Sequence, residues 1–178
     1  MNTPILETER LILRPITLAD AQEAFDNWTS DPDVARYMAY STHENVWVTE
    51  EWLRSVEANQ GLPTIFDWGF VRKSDGRLIG SGGIYYKETS GMFELGYNIM
   101  KECWHQGYTT EAAREMVRFA VEELGQTRLG CNHVAENVNS GKVMMKVGFR
   151  RVGKKPWVSL DGTKKAECYV YLYEKDAK

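Results

Sequence analysis

A glycine turn followed by a hydroxyl-rich helix start is the part of this chain with the clearest chemical potential. The segment runs Glu102-Cys-Trp-His-Gln-Gly-Tyr-Thr-Thr-Glu-Ala-Ala113. The first turn of a helix carries backbone N–H groups without intrahelical acceptors, and the helix dipole is positive there, so such a junction can bind an anion. Gly107 can adopt a positive φ and lets the backbone approach a ligand closely. Taken alone, the pattern indicates either a phosphate cradle or an ordinary turn.

Two predicted elements flank this turn and would hold it in place. Upstream, residues 92–99 alternate apolar side chains with polar or small ones, which is typical of a strand. Downstream, apolar residues recur at helical spacing over 110–124, and Gly125 is a suitable C-terminal cap. The turn is therefore predicted to connect a strand to a helix.

The rest of the chain has the pattern of a single α/β domain spanning 1–178. Strands are predicted over 11–16, 65–71, 78–85, 129–134, 149–160 and 166–173, and helices over 17–28, 32–37, 49–58 and 140–147. Thr17 and Asp20 are predicted to cap the first helix. The cluster Gly80-Ser-Gly-Gly83 lies inside a strand pattern, which favours a bulge or a close backbone approach over a dinucleotide-binding loop. Mixed strands and helices without a repeat or linker indicate one domain.

Three motifs, taken in order, resemble the GNAT superfamily of acyl-CoA N-acyltransferases, and within it the branch of the RimJ and RimL protein N-terminal acetyltransferases. They are the opening Leu6-Glu-Thr-Glu-Arg-Leu-Ile-Leu-Arg-Pro15, the loop Trp104-His-Gln-Gly-Tyr-Thr-Thr-Glu-Ala112, and the set Asn137, Ser140, Lys146, Gly148 and Phe149. The resemblance covers nearly the whole chain. It implies a GNAT-like fold, with a mixed, mainly antiparallel sheet flanked by helices. It also implies transfer of an acetyl group from acetyl-CoA, as cosubstrate, to a primary amine, without a metal.

The resemblance also implies roles for individual residues. Glu94 is the candidate base, directly or through water, and it shares the predicted strand face of Asn98; a solvent-facing strand glutamate is the alternative. Ser140 is the candidate partner of the departing thiolate, and it is equally suited to be the N-cap of the next helix. A backbone N–H near Ile99 is the expected oxyanion donor. The residues expected to contact acetyl-CoA are Asn98, Ile99, Met100, His105, Gln106, Gly107, Tyr108, Thr109, Thr110 and Asn137.

Two positions depart from the family pattern, and two further histidines are candidates for a role in the site. His105 stands where the family often has glycine, and it could clash with a pyrophosphate or donate a hydrogen bond to it; Thr109 adds bulk and a hydroxyl to the first helical turn. His133, on a predicted strand, is either a base or a hydrogen-bonded structural residue. His43 lies in a segment that the resemblance places over the acceptor site. The aromatic residues near it are Tyr37, Tyr40 and Trp47.

The composition limits which kinds of partner the protein can bind and in which compartment it is expected. The formal charge of −3 and the lack of a Lys/Arg stripe argue against a nucleic-acid-binding protein. No apolar run approaches the roughly 18 residues needed to span a bilayer, and we expect neither a membrane partner nor a signal segment. The three cysteines (Cys103, Cys131 and Cys168) lack metal-ligand spacing, which favours reduced thiols in the cytoplasm.

The acceptor and the oligomeric state stay open at this point. A protein N-terminus and a small amine (a polyamine, an amino acid or an aminoglycoside) are both compatible with the resemblance, and a homodimer is an alternative to a monomer. A non-catalytic acyl-CoA sensor or scaffold is the alternative to an enzyme. A nucleotide-binding protein is disfavoured because no Gly-Lys-Ser/Thr sequence follows the glycine turn.

Overall fold

The computed structural model describes residues 2–175, which form eight strands and five α-helices. The strands are β1 (Leu6–Glu7), β2 (Leu11–Pro15), β3 (Ile65–Arg72), β4 (Leu78–Lys87), β5 (Met92–Ile99), β6 (Arg128–Val134), β7 (Arg150–Val158) and β8 (Lys165–Glu174). The helices are α1 (Ala21–Ala24), α2 (Pro32–Ala35), α3 (Val46–Ala58), α4 (Tyr108–Glu122) and α5 (Val138–Val147). Short 3-10 turns lie at Leu18–Asp20 and Lys101–Cys103, and a π turn lies at Phe25–Thr29.

All eight strands belong to one sheet, in the order β1-β2-β3-β4-β5-β6-β8-β7. Neighbouring strands run antiparallel except β5 and β6, which are parallel, so the expected mixed and mainly antiparallel sheet is confirmed. The β5–β6 pairing covers only Phe93 to Leu95, although β5 continues to Ile99 and β6 to Val134. Beyond Leu95 the two strands therefore separate and leave a gap in the middle of the sheet.

Helices flank the sheet on both faces, and aromatic side chains fill the interior. Helix α4 packs on β2, β4 and β5, and α5 packs on β6 and β7. The ring of Phe119 from α4 lies 5.2 Å from that of Phe66 and 5.4 Å from that of Trp68, in edge-to-face contacts. On the other face α1 and α3 pack together, and α1 and the π turn contact β4. These contacts fix α4 and the two diverging strands relative to one another.

The glycine cluster of β4 permits close backbone approach, as its strand pattern predicts. A Cβ atom at Gly82 would lie 2.7 Å from the carbonyl oxygen of Gly96, and one at Gly83 would lie 2.5 Å from the hydroxyl of Tyr85. The hydroxyl end of Tyr85 thus lies against Gly83 and an edge of its ring lies near Gly96, and the hydroxyl donates a 2.5 Å hydrogen bond to Asp67. Only glycine leaves room for the ring at Gly83.

The predicted helix over 17–28 is replaced by a 3-10 turn, α1 and the π turn in succession. Thr17 and Asp20 do form the expected capping box. The helix then widens because the carbonyl oxygen of Phe25 accepts hydrogen bonds from both the hydroxyl (2.6 Å) and the backbone N–H (3.4 Å) of Ser30, five residues later. Helix α4 runs over 108–122 and has Glu123 as its C-cap, so the expectation that Gly125 caps it is wrong.

Candidate active site

The gap between β5 and β6 opens into two adjoining cavities. The sheet cavity, of about 230 Å³, contains Glu94, Tyr85, Asn132 and His133 among its lining residues. The loop cavity, of about 310 Å³, extends to the turn around Gly107. Both cavities are lined by Tyr37, Met38, Tyr97, Asn137 and Ser140. The structure thus brings Glu94, Ser140 and the glycine turn to one continuous cleft.

The glycine turn has the positive φ and the following helix start that its sequence predicts. Gly107 has φ +86° and is the N-cap of α4, and the N–H of Glu111 donates back to the Gly107 carbonyl (3.0 Å). The amides before Glu111 are those of the first helical turn, where intrahelical acceptors are missing. His105 has φ +62°, and within residues 2–175 it is the only non-glycine residue with positive φ. That conformation explains why the family often has glycine at this position.

Most of the residues expected to contact acetyl-CoA line the cleft. Those lining the loop cavity are Asn98, Ile99, His105, Gly107, Thr109, Thr110 and Asn137. Three others do not line it: Met100, Gln106 and Tyr108. Met100 is buried, and its N–H already donates to Ile79 (2.8 Å). Gln106 and Tyr108 instead contact Arg10.

Arg10 and Glu111 fasten the glycine turn to the start of the chain. The Glu111 carboxylate accepts hydrogen bonds from the Thr8 hydroxyl (2.6 Å), the Arg10 N–H (2.7 Å) and the Arg10 Nε (2.7 Å). The Arg10 guanidinium also donates to the Gln106 carbonyl (3.0 Å) and lies 4.3 Å from the centre of the Tyr108 ring. The turn is therefore held in one conformation before any ligand binds.

Asn98 provides an unsatisfied polar atom in the wall of the loop cavity. Its Nδ2 donates to the Ser81 hydroxyl (3.3 Å), whereas its buried Oδ1 has no hydrogen-bond partner within the described chain. Buried carbonyl oxygens normally have a partner, so this atom is suited to accept from an N–H of a ligand. The neighbouring carbonyl of Ile99 is already occupied by the Trp104 Nε1 (3.0 Å).

Ser140 lies in the first turn of α5, where the two cavities meet. The expectation that it is the N-cap is wrong, because α5 begins at Val138 and the side chain of the N-cap, Asn137, accepts from the Ser140 N–H (3.3 Å). The Ser140 hydroxyl is therefore free for another role, and it lies 3.1 Å from the Tyr97 hydroxyl. Burial raises the pKa of Tyr97 well above its usual value, so this phenol stays protonated.

The sequence predicts no role in the site for Tyr97 or for Lys142 and Lys146 of α5, although Lys146 belongs to one of its motifs. The alternation of side chains along β5 places Tyr97 on the apolar face of the strand, which predicts a core residue. Only the fold shows that its hydroxyl reaches Ser140. Lys142 and Lys146 both line the loop cavity. Their spacing of four residues on one helix was the available signal, and it places two positive charges on one side of a cavity suited to an anionic ligand.

Glu94 lies in the sheet cavity, next to Tyr85 in the β4–β5 register. Its carboxylate is half-buried and accepts a long hydrogen bond from the Asn132 side chain (3.4 Å). The strand period places it on the same face as Asn98, as expected. The carboxylate thus keeps free acceptor capacity toward the cavity.

All three cysteines are buried free thiols, and burial raises the pKa of each. Cys131 lines the sheet cavity, and its Sγ donates to the Leu95 carbonyl (3.1 Å). Such thiols are weakly ionised and therefore weak nucleophiles.

The rings of His133 and His43 make hydrogen bonds within the protein. Both ring nitrogens of His133 are occupied: Nδ1 donates to the Val134 carbonyl (2.7 Å) and Nε2 accepts from the Tyr171 hydroxyl (3.2 Å). His43 is buried, bonds through Nδ1 to the Thr49 hydroxyl (2.8 Å), and lines neither cavity. Of the aromatic residues expected near the acceptor, Tyr37 lines both cavities. Tyr40 and Trp47 line neither.

We expect the free energy of unfolding to fall between about pH 7.5 and about pH 5.5. Burial lowers the pKa of His43 and His133, so in this window the unfolded chain binds more protons than the folded one. Stability is then lost as pH falls through the ordinary histidine pKa, by up to about 1.4 kcal/mol per pH unit for each residue. Urea unfolding of the wild type and of His133→Gln measures this, and the variant should lose part of the dependence. Exposed His105→Gln is the control, and an unchanged dependence in His133→Gln would contradict the assignment.

Comparison with known proteins decides the family. The model of the acetyltransferase (GNAT) domain matches residues 10–150. The chain belongs to the GNAT acetyltransferases. The uncharacterized N-acetyltransferase YoaA of Bacillus subtilis (strain 168) is 31% identical to this GNAT protein over 151 residues, which are 84% of this chain and 85% of YoaA.

Two solved structures show how closely the fold agrees. Ribosomal-protein-S5-alanine acetyltransferase from Vibrio fischeri has a TM-score of 0.82 at 16% identity, with 97% of each chain covered. The microcin C7 self-immunity acetyltransferase MccE, solved in complex with acetyl-CoA and AMP, has a TM-score of 0.83 at 12% identity, with 94% of each chain covered. At these identities the likeness concerns the fold.

Membership of the family makes this GNAT protein an acyltransferase, of a family that uses acetyl-CoA and acts on amine acceptors. Within residues 2–175, no group of three or more His, Cys, Asp or Glu side chains is placed to hold a metal ion. The same part of the chain has no helix long and apolar enough to cross a bilayer.

Proposed function

We propose that the protein transfers an acetyl group from acetyl-CoA to a primary amine that enters the sheet cavity. The acceptor is a protein N-terminus or a small amine, and the structural likeness to a ribosomal-protein acetyltransferase makes a protein N-terminus the first acceptor to test. One observation carries the proposal: the β5–β6 gap joins a cavity containing Glu94 to a cavity ending at the Gly107 turn, with Ser140 and Tyr97 at the junction.

The lining of the loop cavity supports acetyl-CoA as the cosubstrate. The amides between His105 and Thr110 would bind the pyrophosphate, and Lys142 and Lys146 add positive charge on the facing helix. The unpartnered Oδ1 of Asn98 would accept from an amide of the pantetheine arm, alongside the stretch of β5 after Leu95 that is paired with β4 but not with β6. Ile99 and Asn137 line the same channel. Acetyl-CoA supplies the activated acyl group, and these residues bind and orient it.

The junction residues can move the protons that acyl transfer requires. A nitrogen–carbon bond forms as the carbon–sulfur bond breaks, so the amine gives up a proton and the departing sulfur needs one. Glu94 would accept the amine proton, directly or through water. The Ser140 hydroxyl, paired with the protonated Tyr97 phenol, would supply a proton or a hydrogen bond to the thiolate. A backbone N–H near Ile99 would stabilise the oxyanion.

Calorimetric titration with acetyl-CoA, followed by an assay of free-thiol release, tests the proposal. The acceptor panel contains peptides starting with Ser or Ala, spermidine, free amino acids and an aminoglycoside. We expect micromolar binding, about −8 kcal/mol, and turnover with at least one acceptor. Binding without turnover of any acceptor would favour a non-catalytic acyl-CoA sensor. Absence of binding would contradict the assignment of the loop cavity.

Ser140→Ala is expected to lower turnover by about tenfold or more while acetyl-CoA affinity changes little. The reason is that the hydroxyl contacts Tyr97 at the junction, whereas Asn137 caps α5 through the Ser140 backbone N–H, which alanine keeps. Steady-state kinetics and calorimetry measure the two effects separately. Equal losses of turnover and of thermal stability would instead indicate that Ser140 has a structural role.

We also propose a compartment and an oligomeric state for the protein. Its three free, buried thiols suit a reducing cytoplasm. Strand β7 is the edge of the sheet and is exposed along most of its length, including Val152 and Val158, which supports a homodimer. Light scattering in solution distinguishes this homodimer from a monomer.

A further inference from the structure

A lysine that lines neither cavity holds a segment that lines both of them. We define the roof segment as residues 35–41 and the hairpin turn as residues 159–164, between β7 and β8. Tyr37 and Met38 of the roof segment line both cavities, and Ala39 lines the sheet cavity. The Nζ of Lys164 donates to three carbonyl oxygens of the roof segment, those of Ala35 (3.0 Å), Met38 (2.8 Å) and Tyr40 (2.7 Å).

These three bonds use every donor of the ammonium group. A lysine side chain has three N–H donors and no acceptor, and here all three point at backbone carbonyls within six residues of chain. Two of the carbonyls follow the end of α2, and the third belongs to its last residue, where a cation is favoured by the helix dipole. Burial of the half-covered side chain lowers its pKa, in keeping with an ammonium drawn into the protein.

Further bonds tie the same two segments together. The N–H of Leu160 donates to the Ala39 carbonyl (2.9 Å), and the Ser41 hydroxyl donates to Asp161. Asp161 also accepts from the Ser159 hydroxyl (2.5 Å) and from the Thr163 N–H (3.0 Å), which makes the hairpin turn a firm support. The hairpin turn thus bonds to five of the seven residues of the roof segment, namely 35, 38, 39, 40 and 41.

The two strands that the hairpin turn connects, β7 and β8, also line the sheet cavity. Trp157 of β7 and Cys168 of β8 line that cavity, and neither lines the loop cavity. The roof segment and the strands β7 and β8 therefore both contribute side chains to the sheet cavity, with Tyr37 from the first and Trp157 from the second. The contacts proposed for acetyl-CoA come mainly from β5, α4 and α5 instead.

We propose that Lys164 is a positioning residue that sets the affinity for the acceptor amine by fastening the roof segment to the hairpin turn. This rests on the proposed function, in which the sheet cavity receives the acceptor. Without the ammonium, three partly buried carbonyl oxygens lose their shared donor, and Tyr37 and Met38 between them are held less firmly. The acceptor then binds a less ordered site, whereas acetyl-CoA keeps its main contacts.

The test compares Lys164→Met with Lys165→Met, which removes an equal charge from the exposed neighbouring residue. With the panel acceptor that the wild type acetylates best, Lys164→Met should raise KM for the acceptor about tenfold. Both kcat and the acetyl-CoA Kd should stay within about threefold, and Lys165→Met should resemble the wild type. If Lys164→Met does not fold, Ser41→Ala replaces it in the test. This variant removes only the hydrogen bond from the Ser41 hydroxyl to Asp161, and it should also raise the acceptor KM.

Hydrogen exchange without any acceptor separates this proposal from the proposed function. Lys164→Met should speed amide exchange in residues 35–41 and at Leu160, and Lys165→Met should not. Unchanged exchange, an unchanged acceptor KM, or an equal rise in acetyl-CoA Kd would overturn the role of Lys164. A wild type that binds acetyl-CoA but acetylates no amine would instead contradict the proposed function, while the exchange result would still decide whether Lys164 holds the roof segment.

Discussion

Replacing Gly107 by glutamate is expected to abolish acetyl-CoA binding, with a rise in Kd of about 100-fold or more. A carboxylate at this position would lie beside the amides proposed to bind the pyrophosphate, and it would repel that group and occupy their donors. The backbone contributes as well, since Gly107 has φ +86°, a conformation that costs an L-residue roughly 1–2 kcal/mol. Calorimetric titration with acetyl-CoA measures the loss.

Two control variants separate charge from backbone strain. Gly76→Glu adds the same charge at φ +72° in the β3–β4 turn, where a Cβ meets nothing within 4 Å, and it should bind acetyl-CoA normally. Gly107→Asn adds a side chain without charge in a conformation that asparagine tolerates, and it should bind within about tenfold of the wild type. Wild-type affinity in Gly107→Glu would show that the pyrophosphate lies elsewhere.

Glu94→Gln is expected to lower kcat by about 100- to 10,000-fold and to leave acetyl-CoA affinity unchanged. Glutamine keeps the shape of the side chain and can still accept from Asn132, but it cannot take up the proton of the attacking amine. Affinity should be preserved because Glu94 lines the sheet cavity and not the loop cavity. Steady-state kinetics with the best panel acceptor, beside calorimetry, gives both quantities.

The matched control is Glu88→Gln, which removes the same charge from an exposed residue in the nearby β4–β5 turn. It should retain the kcat of the wild type. A similar loss of kcat in both variants would instead indicate a general effect of the lost negative charge. A kcat for Glu94→Gln within about threefold of the wild type would mean that water alone serves as the base. The side chain would then be a strand glutamate without a catalytic role.

The parts of the site that could be predicted from the sequence are those set by local structure. The period of β5, the positive φ of Gly107 and the start of α4 all follow from residue type and spacing within about fifteen residues. His105 could be flagged as unusual, and its positive φ gives the physical reason. One local rule misled: Ser140 suits an N-cap, but Asn137 is equally suited and begins the helix earlier.

The rest depends on contacts between distant parts of the chain. Tyr97 and Ser140 are 43 residues apart, and Lys164 and Met38 are 126 apart, so no local pattern connects them. The gap between β5 and β6 depends on where a parallel pairing stops, and the alternation of side chains along one strand carries no information about that. The cavities and the roof segment could therefore be read only from the fold.

The buried thiol of Cys131 bears on the order of chemical events under the proposed function. It belongs to β6, opposite Leu95 at the last paired position of β5 and β6. Burial raises its pKa and its Sγ donates to the Leu95 carbonyl, so it is unsuited to carry an acetyl group. The thiols of Cys103 and Cys168, which also line the cavities, have pKa values raised by burial as well. Under the proposed function we therefore expect direct transfer, with the donor and the acceptor in their cavities at the same time, which sequential rather than ping-pong kinetics would show.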